Sequence, residues 1–176
     1  KPLLLTLSLV LSRLDYGSAA LAGLPACQLH RLQSVLNAAA RLICGARKYD
    51  HVTPLLRELH WLRAREWINF RLAVLVFRCL HNLAPPYLTT ELKRVAAVES
   101  RHCLCSADTQ QLIVSRTLHK TIGDRAFPVA AARVCNCLPQ SLTSQSLTSQ
   151  HSLPTFRREL ETSVRTILPE LTTNFL

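Results

Sequence analysis

The chain has 176 residues, of which 48% are hydrophobic, and a formal net charge of +10 at pH 7. That hydrophobic content supports a folded core and excludes a chain disordered throughout. Most of the positive excess lies in residues 1–98, which favours an anionic partner such as nucleic acid. The seven cysteines form an odd set, which disfavours a completed disulfide framework and predicts an intracellular location, cytoplasmic or nuclear.

Two helices are predicted before residue 45. Pro2, with apolar residues three or four apart, predicts a first helix that runs to about Tyr16 and ends at Gly17. A second helix, from Ala26 to Cys44, has Gly45 after it to close its last turn. Its apolar stripe consists of Leu29, Leu32, Leu36, Ala39 and Ile43. Its opposite face carries His30, Gln33, Asn37 and Arg41, and this polar face is either solvated or bound to something.

A short basic connection follows Gly45, and it leads into two more helices. The connection comprises Arg47, Lys48, Tyr49, Asp50 and His51. Thr53 and Pro54 then predict the cap and first turn of a helix from Leu55 to Leu59. Residues 62–83 are apolar on most sides, which predicts a long central helix packed between neighbours. Pro85 and Pro86 end it, and Tyr87 to Arg94 are predicted to form one further short helix.

The second half of the chain is predicted to be less regular. Leu112, Ile113 and Val114 stand between polar neighbours, which indicates one or two short strands or an irregular segment. A helix is predicted from Phe127 to Leu138, where Pro139 stops it. The tandem pentapeptide at 141–150 predicts a flexible polar loop. Ser152 and Pro154 open a last helix, whose apolar side consists of Leu153, Phe156, Leu160, Val164 and Leu168.

Four segments together resemble one known family. They read LSRLDYGSAALAGLP at 11–25, AAARLICGARKYDHVTPLLRELHWL at 38–62, CLHNLAPPYL at 79–88 and IGDRAFPVAAARVCNCLP at 122–139. These four sequence segments resemble the C-terminal region of LINE-type, non-LTR retrotransposon reverse transcriptases. In that family these segments lie downstream of the palm, so the resemblance implies a thumb and a trailing domain of an RNA-directed DNA polymerase. The lack of any methionine agrees with a fragment of a longer protein.

The predicted fold is mainly α, with a division into four parts. Residues 1–94 are expected to form a thumb-like helical bundle, and 95–140 a small trailing segment that is mixed α/β or irregular. Residues 141–151 are the flexible polar loop, and 152–176 are the C-terminal helix and tail.

The sequence predicts no catalysis by this chain alone. Polymerisation needs two metal ions held by closely placed carboxylates. The aspartates, Asp15, Asp50, Asp108 and Asp124, are all isolated from one another in sequence, so the catalytic palm and its magnesium are expected upstream. No local signature for nucleophilic catalysis surrounds the Cys, His, Ser or Asp residues. Asp124 is predicted to pair with Arg125 or to cap the following helix, and this structural role is favoured over a catalytic one.

The cysteines fall into two groups with different interpretations. Cys44 and Cys79 lie in apolar runs and are predicted to be small buried hydrophobes. The remaining candidates could bind zinc together with nearby histidines, but both Cys pairs leave a single intervening residue where zinc ligands usually leave two to four. These candidates are His102, Cys103, Cys105, His119, Cys135 and Cys137. No cofactor is therefore predicted.

The positive prediction is a nucleic-acid interface in the basic first half. Arginine and lysine contacts to phosphate position a duplex without reading its sequence. The candidate residues are Arg41, Arg47, Lys48, His51, Arg63, Arg65, Arg71 and Arg78. Tyr49 could stack on a sugar or base, or could pack half-buried beneath the connection. The resemblance implies an RNA/DNA template–primer duplex as partner, with no membrane. The alternative is a helical protein-interaction module, in which the 29–43 stripe and the 62–83 helix meet another protein.

Overall fold

The fold is mainly α-helical, as the sequence predicts. The computed structural model describes residue 9 and residues 12–97, 111–119, 122–139, 142 and 152–171. Within these ranges, the pairing of extended backbone is limited to an isolated antiparallel bridge between Arg94 and Leu112. No helix among the same residues combines the length and apolar character that a membrane crossing needs.

The helices are named here in chain order. They are α1 (Ser12–Asp15), α2 (Ala26–Cys44), α3 (Val52–Glu58), α4 (Ala64–Leu80), α5 (Pro86–Thr89), α6 (Phe127–Asn136) and α7 (Leu153–Leu171). Short 3-10 turns cover Ser18–Leu21, Val95–Ala97 and Gly123–Arg125. The chain divides into two compact units, Lys1–Ile68 (unit 1) and Asn69–Leu176 (unit 2), and the division falls within α4. The predicted four-part division stays a prediction.

The core of unit 1 forms where α2 packs against α3. The apolar stripe of α2 faces inward as predicted, and Leu36 and Ala39 are buried. Burying such side chains removes apolar surface from water at about 25 cal/mol per Å². The central cluster consists of Leu36, Ala40 and Leu56, with Leu32, Val52, Leu59 and Trp61 packed against it.

The ends of α2 and α3 are set by local geometry. Gly45 closes α2 in the left-handed conformation, with φ 63°, as predicted. The predicted start of α3 was wrong by three residues, because its N-cap is His51 and Thr53 and Pro54 lie inside its first turn. The error has a physical reason: none of the first-turn N–H groups has a partner within the helix, so proline fits at more than one of these positions.

The core of unit 2 is built from the second half of α4, from α6, from α7 and from the segment around Leu112. The rings of Phe77 on α4 and Phe156 on α7 stack with centroids 4.3 Å apart. Of the predicted stripe on α7, Phe156, Leu160 and Val164 are buried. A second cluster consists of Val76, Leu112, Ala131, Ala132 and Cys135, with Leu80, Leu92 and Phe127 packed against it.

Several other predictions differ from the structure. The short helix expected from Tyr87 to Arg94 is α5, which starts at Pro86 and stops at Thr89. Around residues 112–114 the sequence predicts short strands or an irregular segment, and the structure has an irregular segment with a bridge at Leu112. Cys79 is buried as predicted, but Cys44 is exposed, because it lies outside the apolar stripe of α2. The flexible loop predicted at 141–150 falls outside the described residues apart from residue 142.

Candidate nucleic-acid interface

The basic connection between α2 and α3 is a defined turn. The N–H of Asp50 donates to the carbonyl of Arg47 at 3.1 Å, and the N–H of Arg47 donates to Oδ2 of Asp50 at 2.6 Å. This reciprocal pair uses a short acidic side chain to close the backbone on itself, as aspartate commonly does in turns. The turn Arg47–Asp50 therefore holds its two central residues, Lys48 and Tyr49, at its tip.

The tip residues project into solvent. Tyr49 is 90% exposed, so the alternative in which it packs half-buried beneath the connection was wrong. Nζ of Lys48 lies 5.9 Å from the centroid of the Tyr49 ring, within the range of a cation–π contact. Arg47 and His51 are exposed as well. The turn thus combines cations and an aromatic ring without burying them.

Arg41 fastens the turn to α2. Its Nη2 donates to the carbonyl of Asp50 at 3.3 Å, and the side chain is partly buried. Because the acceptor is a backbone carbonyl, this contact does not neutralise the charge of the guanidinium. Arg41 therefore supports the turn, and its charge still adds to the local positive potential.

The start of α4 presents two further predicted residues, Arg63 and Arg65, both exposed. Glu66 accepts the N–H of Arg63 at 3.0 Å, which is one half of a capping box. Oε1 of Gln33 accepts the N–H of Ala64 at 2.8 Å, and Nε2 of Gln33 donates to Asn37 at 2.8 Å. The polar face of α2, left open by the sequence as solvated or bound, therefore binds the N-terminus of α4.

One face of α2 organises both basic segments of unit 1. Gln33, Asn37 and Arg41 follow at intervals of four and share this face. Gln33 contacts the start of α4, and Arg41, eight residues after Gln33 on α2, contacts the turn. At 1.5 Å per residue these anchor points are about 12 Å apart along the helix. That separation equals roughly three to four nucleotide steps of one strand at 3.4 Å each.

The two candidates in unit 2 have different surroundings. Arg78 is exposed, and its Nη2 donates to the carbonyl of Leu83 at 3.5 Å, just past the end of α4. Arg71 is partly buried. Burial, followed by the charge of Arg157, lowers the pKa of Arg71. Arg78 serves in part as a helix-end contact, and Arg71 is less accessible than the cations of the turn.

The other predicted polar group, Asp124, has a structural role. Its Oδ1 accepts from Nη2 of Arg133 at 2.9 Å and from the hydroxyl of Thr117 at 3.0 Å. The ion pair that the structure shows for Asp124 is with Arg133, whereas the sequence interpretation named Arg125. The predicted capping of α6 was also wrong, since its N-cap is Ala126, without a side-chain hydrogen bond.

The described residues do not fit a polymerase metal site. Asp50 and Asp124 are each engaged in the contacts given above. Within the described ranges, no three or more His, Cys, Asp or Glu side chains are grouped closely enough to hold an ion. Cys135 is buried and Cys137 is exposed, and the zinc candidates at 102, 103 and 105 lie outside those ranges.

The sequence interpretation missed the residues that support the interface. Gln33 and Glu66 were not among the candidates, yet each accepts a backbone N–H at the start of α4. Glu66 had a readable signal, since an acid three residues after a helix N-cap is the capping-box spacing. Gln33 had none, because its acceptor role depends on a contact across 31 residues.

No family model, curated protein or solved structure matches this chain.

Proposed function

We propose that this chain is a nucleic-acid-binding, post-palm part of a LINE-type RNA-directed DNA polymerase. Its role would be to grip the template–primer duplex, with bond making left to a palm elsewhere in the parent protein. The resemblance of the four quoted segments supports the parentage. On its own the chain would extend no primer, because its aspartates are isolated in sequence. Such a role belongs in the cytoplasm or nucleus.

The observation that carries the proposal is the turn Arg47–Asp50. Binding to phosphate requires cations that can reach a ligand without first leaving a buried site or an ion pair. Arg47 and Lys48 meet the exposure condition, and the turn that carries them is closed by its own hydrogen bonds. A fixed turn loses little conformational entropy on binding, which favours contact with a regular backbone.

The start of α4 supports the same partner. Arg63 and Arg65 are exposed, and the backbone between them is tied to α2 through Gln33. The two basic segments are therefore attached to one rigid helix, about 12 Å apart along it. A polyanion with regularly repeated phosphates can contact both segments at once, whereas a small anion can contact just one.

The alternative, a protein-interaction module, is weakened by the core of unit 1. Leu36 and Ala39 of the 29–43 stripe are buried, and Leu32 packs against the same cluster. This stripe is therefore already occupied by the protein's own side chains. On α2, the large apolar side chains that stay open to a partner are Val35 and Leu42, which are 56% and 65% exposed.

Salt dependence separates the two functions. We expect the affinity for an RNA–DNA hybrid duplex, measured by fluorescence anisotropy, to fall linearly on a plot of log K against log salt. The double variant Arg47→Ala, Lys48→Ala should flatten that slope by about two units, because each phosphate contact contributes about one. An apolar interface would respond little to salt.

A matched control removes two charges elsewhere. Lys93 and Arg116 are exposed and belong to unit 2, so Lys93→Ala, Arg116→Ala lowers the net charge equally. We expect the control to change the slope by less than about half a unit. An unchanged slope in the Arg47, Lys48 variant would overturn the assignment of phosphate contact to the turn, and so would equal changes in both variants.

A further inference from the structure

Tyr49 adds an exposed aromatic ring to the charged groups of the turn Arg47–Asp50. The ring is 90% exposed at the tip of a turn whose two ends are joined by hydrogen bonds. A cation can bind any phosphate, but an exposed aromatic ring gains most from a flat apolar partner that covers one of its faces. Nucleic-acid bases are such partners, and stacking on them tolerates every base.

The geometry leaves one ring face for that partner. The ammonium of Lys48 lies over the ring, 5.9 Å from its centroid. The opposite face is then available to a base, while the ammonium stays within reach of a neighbouring phosphate. Aromatic residues interleaved with cations in this way are typical of single-strand binding surfaces.

Inside a duplex the faces of a base are covered by its stacked neighbours, so a protruding tyrosine cannot reach them without breaking the stack. An unpaired base offers a free face at no such cost, whereas a blunt duplex offers one only at its two ends. We infer that Tyr49 stacks on an unpaired base where single-stranded template joins the duplex, with Lys48 on the adjoining phosphate. This inference rests on the proposed function, and it specifies a junction as the preferred ligand.

Two probes with equal numbers of phosphates test it. One is a blunt RNA–DNA hybrid, and the other is a shorter hybrid with a single-stranded extension that carries 2-aminopurine at the first unpaired position. We expect Tyr49→Ala to weaken binding to the extended probe by about tenfold and to the blunt probe by less than about twofold. Tyr49→Phe keeps the ring and should stay within about twofold of the natural protein on both probes. The 2-aminopurine fluorescence should fall when the natural protein binds, and should fall far less with Tyr49→Ala.

Tyr16→Ala is the matched control, because Tyr16 is 89% exposed and also belongs to unit 1 but lies outside the turn. It should leave both affinities unchanged. Equal losses on both probes with Tyr49→Ala, or no loss on either, would overturn the inference. In both cases the salt slope of Arg47→Ala, Lys48→Ala still tests the proposed function separately, since an uncharged ring does not contribute to that slope. Failure to bind either probe in dilute buffer would overturn both.

Discussion

Each unit uses the amide of a helix side chain to fix a distant piece of backbone. In unit 1, Oε1 of Gln33 on α2 accepts the N–H of Ala64 at 2.8 Å. In unit 2, Oδ1 of Asn136 on α6 accepts the N–H of Leu112, and its Nδ2 donates to the carbonyl of Leu112, both at 2.9 Å. The same chemistry therefore positions a helix start in one unit and an extended segment in the other.

The two units differ in what they do with the neighbouring cations. In unit 2, Arg133 forms an ion pair with Asp124, and Arg78 donates to the carbonyl of Leu83. In unit 1, Asp50 accepts from a backbone N–H, and the side chains of Arg47 and Lys48 point into solvent. Asp50 and Glu66 of unit 1 therefore accept backbone N–H groups, whereas Asp124 of unit 2 pairs with a cation. We therefore propose unit 1, rather than unit 2, as the part that would bind nucleic acid.

The largest expected effect concerns the amide of unit 2. Asn136→Ala leaves both the N–H and the carbonyl of the buried residue Leu112 without their side-chain partner. At about 1–3 kcal/mol for each of the two unsatisfied groups, we expect a loss of about 2–6 kcal/mol in the free energy of unfolding. Denaturant unfolding, with hydrogen exchange at the Leu112 amide, measures both the loss and its location. Asn136→Asp keeps the acceptor and should lose less, and equal stability of all three proteins would remove Asn136 from this role.

A second effect concerns the thiols, which also differ between the units. Cys27 and Cys44 in unit 1 are exposed, whereas in unit 2 Cys79 and Cys135 are buried and Cys137 is exposed. Burial raises the pKa of Cys135 from 9.0 to about 11, so the folded protein keeps a proton that the unfolded chain releases. Below pH 9 both states are protonated and stability is unaffected. Between pH 9 and 11 stability should fall by about 2–3 kcal/mol through this group.

Cys135→Ala isolates this contribution. The variant should lose less stability than the natural protein when denaturant unfolding at pH 11 is compared with unfolding at pH 8, because all other titrating groups are common to both. Parallel pH profiles would contradict a protonated, buried Cys135. Thiol labelling at pH 8 gives an independent reading, in which Cys27 and Cys44 should react well before Cys135.

One glycine in each unit, Gly45 in unit 1 and Gly123 in unit 2, can be changed to alanine to test how tightly its surroundings are packed. A Cβ at Gly123 would come within 2.5 Å of the Cβ of Thr117, whereas a Cβ at Gly45 would meet nothing within 4 Å. We expect Gly123→Ala to cost about 2–3 kcal/mol through overpacking. Gly45→Ala should cost about 1 kcal/mol, through its positive φ alone. Thermal and denaturant unfolding measure which variant loses more stability. If Gly123→Ala lost none, Thr117 and Gly123 would be able to move apart at little cost.

The smallest effect is a gain in stability. His60 has φ 55° at the end of α3, where Trp61 donates to the carbonyl of Leu56 at 2.8 Å and closes the helix. Glycine adopts this conformation without a Cβ penalty, so His60→Gly should relieve up to about 1 kcal/mol of backbone strain, reduced by the loss of the interaction that His60 makes. Asn82 occupies the matching position after α4, with φ 57°. Because asparagine tolerates this conformation, Asn82→Gly should gain less, and the reverse order would contradict the explanation.

Much of the fold was readable from local patterns. The α2 helix, its buried stripe and its closure at Gly45 follow from spacings within one segment, and the structure agrees with each. The start of α3 was missed because proline suits several first-turn positions equally. The positive φ of His60 could not be predicted, since that conformation is read from glycine and asparagine and not from histidine.

The candidate site was readable in part. Charge and turn-forming residues identified the exposed segment containing Arg47 and Lys48, which the structure places at a closed turn. The contacts that position the segments were not readable, because Gln33 reaches Ala64 across 31 residues and Asn136 reaches Leu112 across 24. Packing of the folded chain brings such partners together, and no local sequence pattern predicts these long-range contacts.

Lysine footprinting compares the two units within one sample and shows which of them contacts nucleic acid. The purified protein is acetylated with and without an RNA–DNA hybrid duplex at low salt, and mass spectrometry then measures modification at Lys48 in unit 1 and at Lys93 in unit 2, both of which are exposed. We expect the duplex to protect Lys48 several-fold, added salt to remove this protection, and Lys93 to react equally in all samples. Protection of Lys93 with full reactivity of Lys48 would contradict it.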